Sequence, residues 1–309
     1  GKVKADFFYQ VGKEDYELTR EIALRHQVSG IVTGQMENPL KLMARLAQEL
    51  GFIFHSPEVI ERATNKYLMK QAFLAAGVPC ARGELIKDSK ILNETEFSQY
   101  PLPVIIKPLQ AFSSRGVYRI DGYQRYLDKI GETLNFSQDG SYLLEDFIEG
   151  PEYSVESITY RGETTIIQYT EKLITPYPET VEIGHIQPAE FSKEQKSLID
   201  MTVIKAIKAL GIDNSAAHTE LKWTGKGPVI IEIGPRLGGD FISSYLTLAS
   251  TGVSMDKAAI QVALGLKPEI EVKNLGGAAI RYLTLTSGSR VKTIDAKISR
   301  LSDLPGVIL

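Results

Sequence analysis

The first 55 residues alternate short apolar runs with segments of helical spacing. The apolar runs are residues 7–9, 30–33 and 52–54, and the helical segments are residues 15–27 and 39–50. Asn38 and Pro39 begin the second helix as N-cap and first helical residue, and Gly51 ends it. Strands that alternate with helices at this spacing predict a parallel α/β sheet. Because a doubly wound sheet normally begins earlier, we expect its opening strand to precede Gly1.

After residue 56 the alternation gives way to a strand-rich stretch. Ser56 and Pro57 begin a helix that the pattern predicts over residues 58–76. Strand signals then dominate as far as residue 160, and they lie at residues 104–107, 117–120, 142–147 and 153–158. A hairpin turn is predicted at residues 161–164. A long helix with a capping box at its start is predicted over residues 192–211.

Composition and charge narrow the class of protein. The chain has 309 residues, of which 43% are hydrophobic and 24% charged, and this composition is typical of a folded globular protein with two or three domains. A net charge of −3 without a long basic run indicates neither nucleic acid nor an anionic membrane as a partner. Cys80 stands alone, and we find no signal peptide and no apolar run near the roughly 20 residues of a membrane span. We therefore expect a cytoplasmic protein with small-molecule partners.

Two carboxylates are predicted to face each other on a hairpin. Residues 219–223 and 229–234 are predicted strands, and a turn centred on Lys226 places Glu220 opposite Glu232. Strict alternation would put Val229, Ile231 and Ile233 on one face and Ile230, Glu232 and Gly234 on the other. Like charges at opposed positions destabilise a sheet unless a cation lies between them, and oxygen ligands suit Mg²⁺ or Mn²⁺. The alternative is a solvent-exposed hairpin that carries two scattered acids.

A lysine ends an apolar strand ahead of a loop that contains serine and glycine. Lys107 follows residues 104–106 and precedes Ser113-Ser114-Arg115-Gly116. Such a lysine can reach phosphate oxygens while hydroxyls and backbone N–H groups of the loop hold the same anion. The P-loop pattern of phosphate-binding enzymes does not occur in the sequence. The alternative is a surface lysine whose stem alone is buried.

Six blocks in a fixed order resemble the ATP-grasp superfamily from about Ser56 to about Thr286. The blocks are Asn65-Lys66, residues 104–108, residues 113–117, residues 144–152, residues 218–220 and residues 230–239. The resemblance implies the fold class α/β (α+β), with an ATP-grasp fold after a truncated Rossmann-like domain. The implied domains are residues 1–57, residues 58–276 with a small lid at about 83–160, and the start of an incomplete C-terminal module at 277–309.

The resemblance gives each matching residue an expected role. The expected nucleotide-binding residues are Lys66 and Lys107 at the phosphates of ATP, Ser113, Ser114 and Gly116 in a mobile phosphate loop, Glu145, Phe147 and Ile148 beside adenine, and Glu152 at the ribose. Glu220 and Glu232 match the magnesium ligands, in agreement with the hairpin prediction. Arg236 matches the arginine that steadies the transferred phosphate or the acyl phosphate. At Gly234 the family often has an asparagine, and this difference favours a single bound metal ion.

The chemistry that the resemblance implies is the joining of a carboxylate to an amine through an acyl phosphate, with release of ADP. Residues 235–242 resemble ligases that join amino acids, and Lys172 and His185 could line the same pocket. The alternatives are an enzyme like carbamoyl phosphate synthetase or those of purine biosynthesis, a non-catalytic ATP-binding regulatory module, and a structural domain. The expected cofactors are ATP and Mg²⁺ (or Mn²⁺). The expected partners are a small-molecule carboxylate and amine, while a homodimer stays open.

Overall fold

The computed structural model describes residues 5–111, 114–176 and 181–282, together with residues 290 and 306. Its helices are α1 Tyr16–Arg25, α2 Leu40–Leu50, α3 Pro57–Thr64, α4 Lys66–Ala76, α5 Glu94–Phe97, α6 Tyr123–Asn135, α7 Lys193–Leu210, α8 Thr247–Thr251 and α9 Met255–Ala263, with a π-helical turn at Ile242–Leu246. Its strands are β1 Gly83–Ile86, β2 Val104–Pro108, β3 Tyr118–Ile120, β4 Tyr142–Asp146, β5 Glu152–Tyr160, β6 Glu163–Ile174, β7 Glu182–Gln187, β8 Ser215–Thr224, β9 Gly227–Gly234 and β10 Ala278–Arg281. The predicted mixture of helices and sheets is confirmed.

The N-terminal segment, described over residues 5–56, contains α1 and α2 but no strand. The parallel sheet predicted here is therefore wrong. Strands of a parallel sheet are buried on both faces, whereas Phe7, Phe8 and Val32 of the predicted strands have about half or more of their surface exposed. The segment is instead held together by packing between the two helices, in which Tyr16 and Leu46 are buried. At α2, Pro39 rather than Asn38 is the N-cap residue, while Gly51 ends the helix as predicted.

The helix predicted over residues 58–76 is two helices that meet at Asn65. The side chain of Asn65 accepts hydrogen bonds from the backbone N–H groups of Tyr67 and Leu68, and its own N–H donates to the carbonyl of Glu61. Its extended backbone ends α3 and begins α4. Asparagine favours such caps because its side chain replaces the missing backbone acceptor. As a result, Lys66 is the first residue of α4.

A four-stranded antiparallel sheet, in the order β1-β4-β2-β3, occupies most of the predicted lid. Helix α6 packs on it around Tyr126 and Ile130, and the hydroxyl groups of Tyr126 and Tyr142 share a buried hydrogen bond of 2.7 Å. Lys107 and Glu145 lie on the neighbouring strands β2 and β4 of this sheet. The domain boundaries stay a prediction, although β5, which was assigned to the lid, is hydrogen-bonded into the larger sheet described next.

The larger sheet has six antiparallel strands in the order β10-β7-β6-β5-β8-β9. The predicted turn at Arg161 and Gly162 joins β5 to β6. Helix α7 packs on the sheet through Val203 and Ile207 and begins with the predicted capping box of Ser192. Strand β10 lies at the start of the predicted C-terminal module, and residues 283–289 of that module lie outside the described residues.

None of the helices within the described residues combines the length and the apolar character that crossing a bilayer would demand.

Candidate nucleotide-binding and metal-binding site

Glu220 and Glu232 lie directly opposite each other on β8 and β9, as the sequence predicts. The turn is tighter than the prediction assumed. Thr224 pairs with Gly227, so that only two residues separate the strands. If that register continued, Glu220 would face Ile231 rather than Glu232.

A β-bulge in β9 restores the predicted pair. Leu221 pairs with Ile230, and the next pair along the hairpin joins the two glutamates, so Ile231 is an extra residue without a partner in β8. The bulge also interrupts the alternation of the strand. The predicted shared face of Val229, Ile231 and Ile233 is therefore wrong, because Ile230 and Ile233 are both in the core while Val229 and Ile231 are partly exposed.

Lys172 of β6 is the cation closest to Glu220 that the structure describes. Its Nζ lies 3.3 Å from Glu220 Oε1, 3.5 Å from Glu182 Oε2 and 3.9 Å from Glu152 Oε2. The charge of Lys172 holds the pKa of Glu220 well below its usual range. Burial lowers the pKa of Lys172, but the three carboxylates outweigh burial and raise it above the usual value. Glu220 and Lys172 are thus a charged pair at neutral pH.

Lys66 connects Glu232 to the loop that follows β2. Its Nζ lies 3.2 Å from Glu232 Oε2 and donates a hydrogen bond of 2.9 Å to the carbonyl of Ala111, while its backbone N–H donates to Leu109. Burial lowers the pKa of Lys66, but Glu232 and Glu37 raise it by more. The ammonium group therefore stands between a candidate metal ligand and the start of the predicted phosphate loop.

Lys107 and Glu145 form a buried ion pair that includes a second lysine. Lys107 Nζ lies 2.6 Å from Glu145 Oε1, and Lys70 Nζ of α4 lies 2.6 Å from Glu145 Oε2. All three residues are at most 5% exposed. The sequence places Lys70 one helical turn after Lys66, but nothing in the sequence indicates that it meets Glu145.

Of the predicted adenine and ribose residues, Phe147 and Ile148 follow β4 and Glu152 begins β5, whereas Glu145 lies within β4 and is paired with the two lysines. The guanidinium of Arg119 and the ammonium of Lys222 lie 4.6 and 4.8 Å from the centre of the Phe147 ring. Lys222 also lies 3.1 Å from Glu152 Oε1, and Ile148 is half-buried. Phe147 and Glu152 thus contact the same lysine, Lys222.

The predicted phosphate loop is described in part. Gly116 has a φ of 72°, and a Cβ there would lie 2.9 Å from the ring of Phe136, so the position requires glycine. Its carbonyl accepts a hydrogen bond of 2.9 Å from Thr133 of α6. Ser114 has a φ of 54°, also in the left-handed region, and Ser113 lies outside the described residues.

Arg236 is held by a carboxylate from the N-terminal segment. Its Nη2 and Nε donate hydrogen bonds of 2.7 and 3.2 Å to Glu37 Oε1, and its Nη1 donates to the carbonyl of Leu237. Burial and the charge of Glu232 raise the pKa of Glu37 more than Arg236 lowers it. Glu37 also lines a cavity of about 390 Å³ beside α2. The Arg236–Glu37 pair therefore joins the loop after β9 to the N-terminal segment.

Gly234, where the family often has asparagine, lies under the guanidinium of Arg236. A Cβ at this position would lie 3.1 Å from Nε and 3.2 Å from Cζ of Arg236, and 3.2 Å from Glu37 Oε1. A side chain here would have to displace the arginine or its partner. The glycine at position 234, which departs from the family pattern, therefore leaves the space that the Arg236–Glu37 pair occupies.

A buried carboxylate fixes the loop that carries Arg236. Glu156 of β5 accepts hydrogen bonds from the hydroxyl of Ser243 at 2.8 Å and from the N–H of Gly238 at 3.2 Å, and it contacts Nδ1 of His218. Nε2 of His218 lies 3.6 Å from Glu220. Burial lowers the pKa of His218, but Glu156 outweighs burial and raises it to about 9. The network links the arginine loop to a candidate metal ligand.

His185 lies at the far side of Lys172, on the edge nearest β10. Its side chain is fully buried, and Nε2 is 2.6 Å from Glu182 Oε1 and 4.0 Å from Asp240 Oδ2. Apart from this close contact with Glu182, neither ring nitrogen has a hydrogen-bond partner of regular geometry among the described residues. Two acids and an imidazole thus converge on one point.

We call the region where Lys66, Glu220, Glu232 and Arg236 converge the cleft. The sequence analysis identified most of its charged groups but missed their partners. The missed residues are Glu37, Lys70, Glu156, Glu182 and Lys222. All but Glu182 meet their partners across elements that lie far apart in the chain, whereas Glu182 contacts Lys172 on the adjacent strand and His185 on its own strand. Only Glu156 gave a usable signal, because it lies in the middle of a predicted strand between Val155 and Ser157, and an acid in a buried strand must find a partner.

Buried lysines and a pair of directly opposed glutamates are features that the resemblance to the ATP-grasp superfamily implies. The comparisons agree. Residues 100–244 match the ATP-grasp domain family, and the resemblance stated from the sequence is confirmed.

The chain is also similar to individual proteins along most of its length. Human carnosine synthase 1 is 27% identical over 76% of this chain and 30% of its own length, and alanine–anticapsin ligase of Bacillus subtilis strain 168 is 28% identical over 74% of this chain and 53% of its own length. The crystal structure of an L-amino acid ligase from Bacillus licheniformis superposes with a TM-score of 0.80 at 23% identity, over 93% of this chain and 70% of that one. The chain thus spans about half or less of these two curated relatives.

Proposed function

We propose that the protein is an ATP-dependent ligase that forms a C–N bond between a carboxylate and an amine, with an amino acid or a small peptide among its substrates. The observation that carries the proposal is the convergence of Lys66, Glu220, Glu232 and Arg236 on one cleft. Phosphoryl transfer depends on positioning and on neutralising charge, and these are the groups that it requires. The two amino-acid-joining relatives support the choice of substrate class.

The cleft can bind ATP along one side. Lys66 and Lys107 would contact the phosphates, with Ser114 and Gly116 in the covering loop, while Phe147 and Ile148 would lie beside adenine and Glu152 would accept from the ribose hydroxyls. Ser113 lies outside the described residues, and its role in the covering loop is expected from the sequence alone. Lys66 and Lys107 are nearly fully buried, and a buried ammonium strongly favours an anionic ligand.

Glu220 and Glu232 fit a divalent cation because they supply carboxylate oxygens from opposed positions of one hairpin. An all-oxygen donor set suits Mg²⁺ or Mn²⁺ rather than a softer metal. When bound, the ion would neutralise charge on the phosphates of ATP.

The carboxylate substrate would lie against Arg236. Its oxygen attacks the γ-phosphorus of ATP, the bond to ADP breaks, and ADP leaves with that electron pair. Arg236 is suited to the acyl phosphate that results because a guanidinium binds phosphate and carboxylate oxygens in pairs. Glu37 orients this guanidinium through two hydrogen bonds.

The amine substrate would lie near Glu182, His185 and Asp240. Two carboxylates attract an ammonium group, and a buried imidazole without a hydrogen bond to the described residues can accept its proton. The amine nitrogen then attacks the carbonyl carbon of the acyl phosphate, phosphate leaves, and the nitrogen loses a proton. The lysine beside Glu182, Lys172, separates this position from Glu220.

The experiment is to measure ADP release with ATP, Mg²⁺ and pairs of amino acids, and to identify the product by mass. We expect ADP release that requires both an amino acid carboxylate and an amine, and Glu232→Gln should reduce it about 100-fold while the protein stays folded. Glu163→Gln, at an exposed position of β6, is the matched control. Nucleotide binding without ADP release for any pair would contradict the ligase assignment and favour a regulatory ATP-binding module.

A further inference from the structure

Glu145 is shared by two lysines, one at each carboxylate oxygen. Lys107 of β2 lies 2.6 Å from Oε1, and Lys70 of α4 lies 2.6 Å from Oε2. The Nζ of Lys70 also donates a hydrogen bond of 3.0 Å to the carbonyl of Ala81. Lys70 therefore has two fixed partners in the protein, whereas the ammonium of Lys107 contacts only Glu145 among the described residues.

The three residues carry two positive charges and one negative charge in a buried place. Lys70, Lys107 and Glu145 are 3, 4 and 5% exposed. Burial raises the pKa of Glu145, but Lys107 and Lys70 outweigh burial and lower it. Burial and the nearby charges of Lys70 and Lys66 lower the pKa of Lys107 more than Glu145 raises it. The group therefore has an excess of positive charge that an anion would compensate.

A nucleotide phosphate competes with Glu145 for Lys107. If the ammonium of Lys107 turns to the phosphate, Glu145 loses one of its two cations inside the protein. A buried carboxylate without a cation is strongly disfavoured, so Lys107 could not leave unless a second cation remained. Lys70 is that cation, and its hydrogen bond to Ala81 holds it in place.

We propose that Lys70 is a positioning residue that keeps Glu145 paired, and so leaves Lys107 free to bind the nucleotide phosphate. The inference rests on the proposed function, which assigns Lys107 to the phosphate. Lys70 itself touches no substrate in this arrangement. Its effect on nucleotide affinity passes through Glu145.

The proposal predicts a specific coupling between two substitutions. In Lys70→Met the carboxylate of Glu145 depends on Lys107 alone, so Lys107 is held back and nucleotide affinity falls. In Glu145→Gln there is no charged side chain to hold Lys107 back. Removing Lys70 in that background should therefore change nucleotide affinity little. A lysine that only supports the fold would weaken binding in both backgrounds.

The experiment is calorimetric titration with a non-hydrolysable ATP analogue and Mg²⁺. The proteins are the unsubstituted chain, Lys70→Met, Glu145→Gln, the double variant, and Lys70→Gln as a second variant that keeps a donor for Ala81 without the charge. Lys205→Met is the matched control, because Lys205 also donates to a backbone carbonyl, that of Gly77, at 3.0 Å. Thermal unfolding of each protein checks that it is folded.

We expect Lys70→Met and Lys70→Gln to weaken binding about tenfold or more, the control to bind within about twofold of the unsubstituted chain, and the double variant to bind within about threefold of Glu145→Gln. Equal losses on removing Lys70 in both backgrounds would overturn the inference, as would unchanged affinity in both Lys70 variants. Lys107→Met tests the proposed function separately. If it binds the analogue as tightly as the unsubstituted chain, or if that chain does not bind, the phosphate role of Lys107 fails and the inference fails with it.

Discussion

Glu220 faces Glu232 because one residue of β9, Ile231, is left out of the pairing between the strands. Two acids at directly opposed positions repel each other. In this structure the repulsion is offset by Lys172 on the side of Glu220 and by Lys66 on the side of Glu232. The same arrangement makes the pair sensitive to any cation that can lie between the two carboxylates.

The first prediction concerns metal binding by this pair. If one ion contacts both glutamates, then Glu220→Gln and Glu232→Gln should each weaken Mn²⁺ binding in the presence of an ATP analogue by about 10-fold or more, and the double variant should lose little beyond either single change. Electron paramagnetic resonance of free Mn²⁺ measures the affinity. Losses that simply add would contradict a shared ion.

The second prediction concerns the glycine under Arg236. Gly234→Asn should displace the guanidinium, because even a Cβ there would lie 3.1 Å from its Nε. Displacement of this kind should lower kcat of the ligase reaction by about 10- to 100-fold and leave affinity for the ATP analogue within about twofold.

Gly225→Asn is the control for this change, because a Cβ at Gly225 has no heavy atom within 4 Å among the described residues. Steady-state kinetics of both variants measure kcat and so test this prediction. An unchanged kcat in Gly234→Asn would show that displacing the guanidinium does not slow the reaction, and it would contradict this prediction.

The third prediction concerns the buried carboxylate of Glu156. Glu156→Gln removes the charge that pairs with His218 and one of the oxygens that accept from Ser243 and Gly238. Breaking a buried pair leaves the partner uncompensated, and the free energy of unfolding should fall by about 3 kcal/mol. Urea unfolding measures the loss. A loss no larger than that of Glu163→Gln would show that the network adds little to stability.

The fourth prediction concerns pH and His55. Burial lowers the pKa of His55 to about 4, against 6.5 for the unburied side chain. Between pH 6.5 and 4 the unfolded chain binds a proton at His55 that the folded chain does not. The free energy of unfolding therefore decreases as the pH is lowered through this range, and the contribution of His55 is fully present above pH 6.5. The loss by pH 4.5 from this residue should be about 2–3 kcal/mol.

His55→Gln should remove this part of the pH dependence. The measurement is urea unfolding of both proteins at pH 7 and at pH 4.5. Curves that fall in parallel for the two proteins would mean that another group dominates the acid sensitivity.

Local signals predicted the parts of the fold that depend on neighbours in sequence. The capping box of Ser192, the turn at Arg161 and Gly162 and the end of α2 at Gly51 all follow from short-range chemistry. The prediction for the Glu220–Glu232 pair was right although the turn it assumed was wrong, because the bulge at Ile231 compensates for the tighter turn. Sequence alternation cannot show a bulge, since it is a property of the pairing between two strands.

The failed predictions depend on contacts that are distant in sequence. Residues 7–9 have the composition of a strand, yet a strand also needs a neighbour to pair with, and none is present for them in the described part of the chain. In the same way, strands β1, β2 and β3 lie between Lys70 and Glu145 in the sequence. The two residues meet only because α4 packs against the small sheet. Charge alone did not identify Lys70, because lysines on helices are usually exposed.

Asn65 determines the starting point of α4, and with it the angular positions of both Lys66 and Lys70. These two lysines are four residues apart and so share one face of the helix. An insertion of one residue between Asn65 and Lys66 would rotate both side chains by about 100° around the helix axis. The lysine beside Glu232 and the lysine beside Glu145 therefore form one rigid unit, and insertions or deletions in this helix cannot adjust the metal side of the cleft without disturbing its nucleotide side.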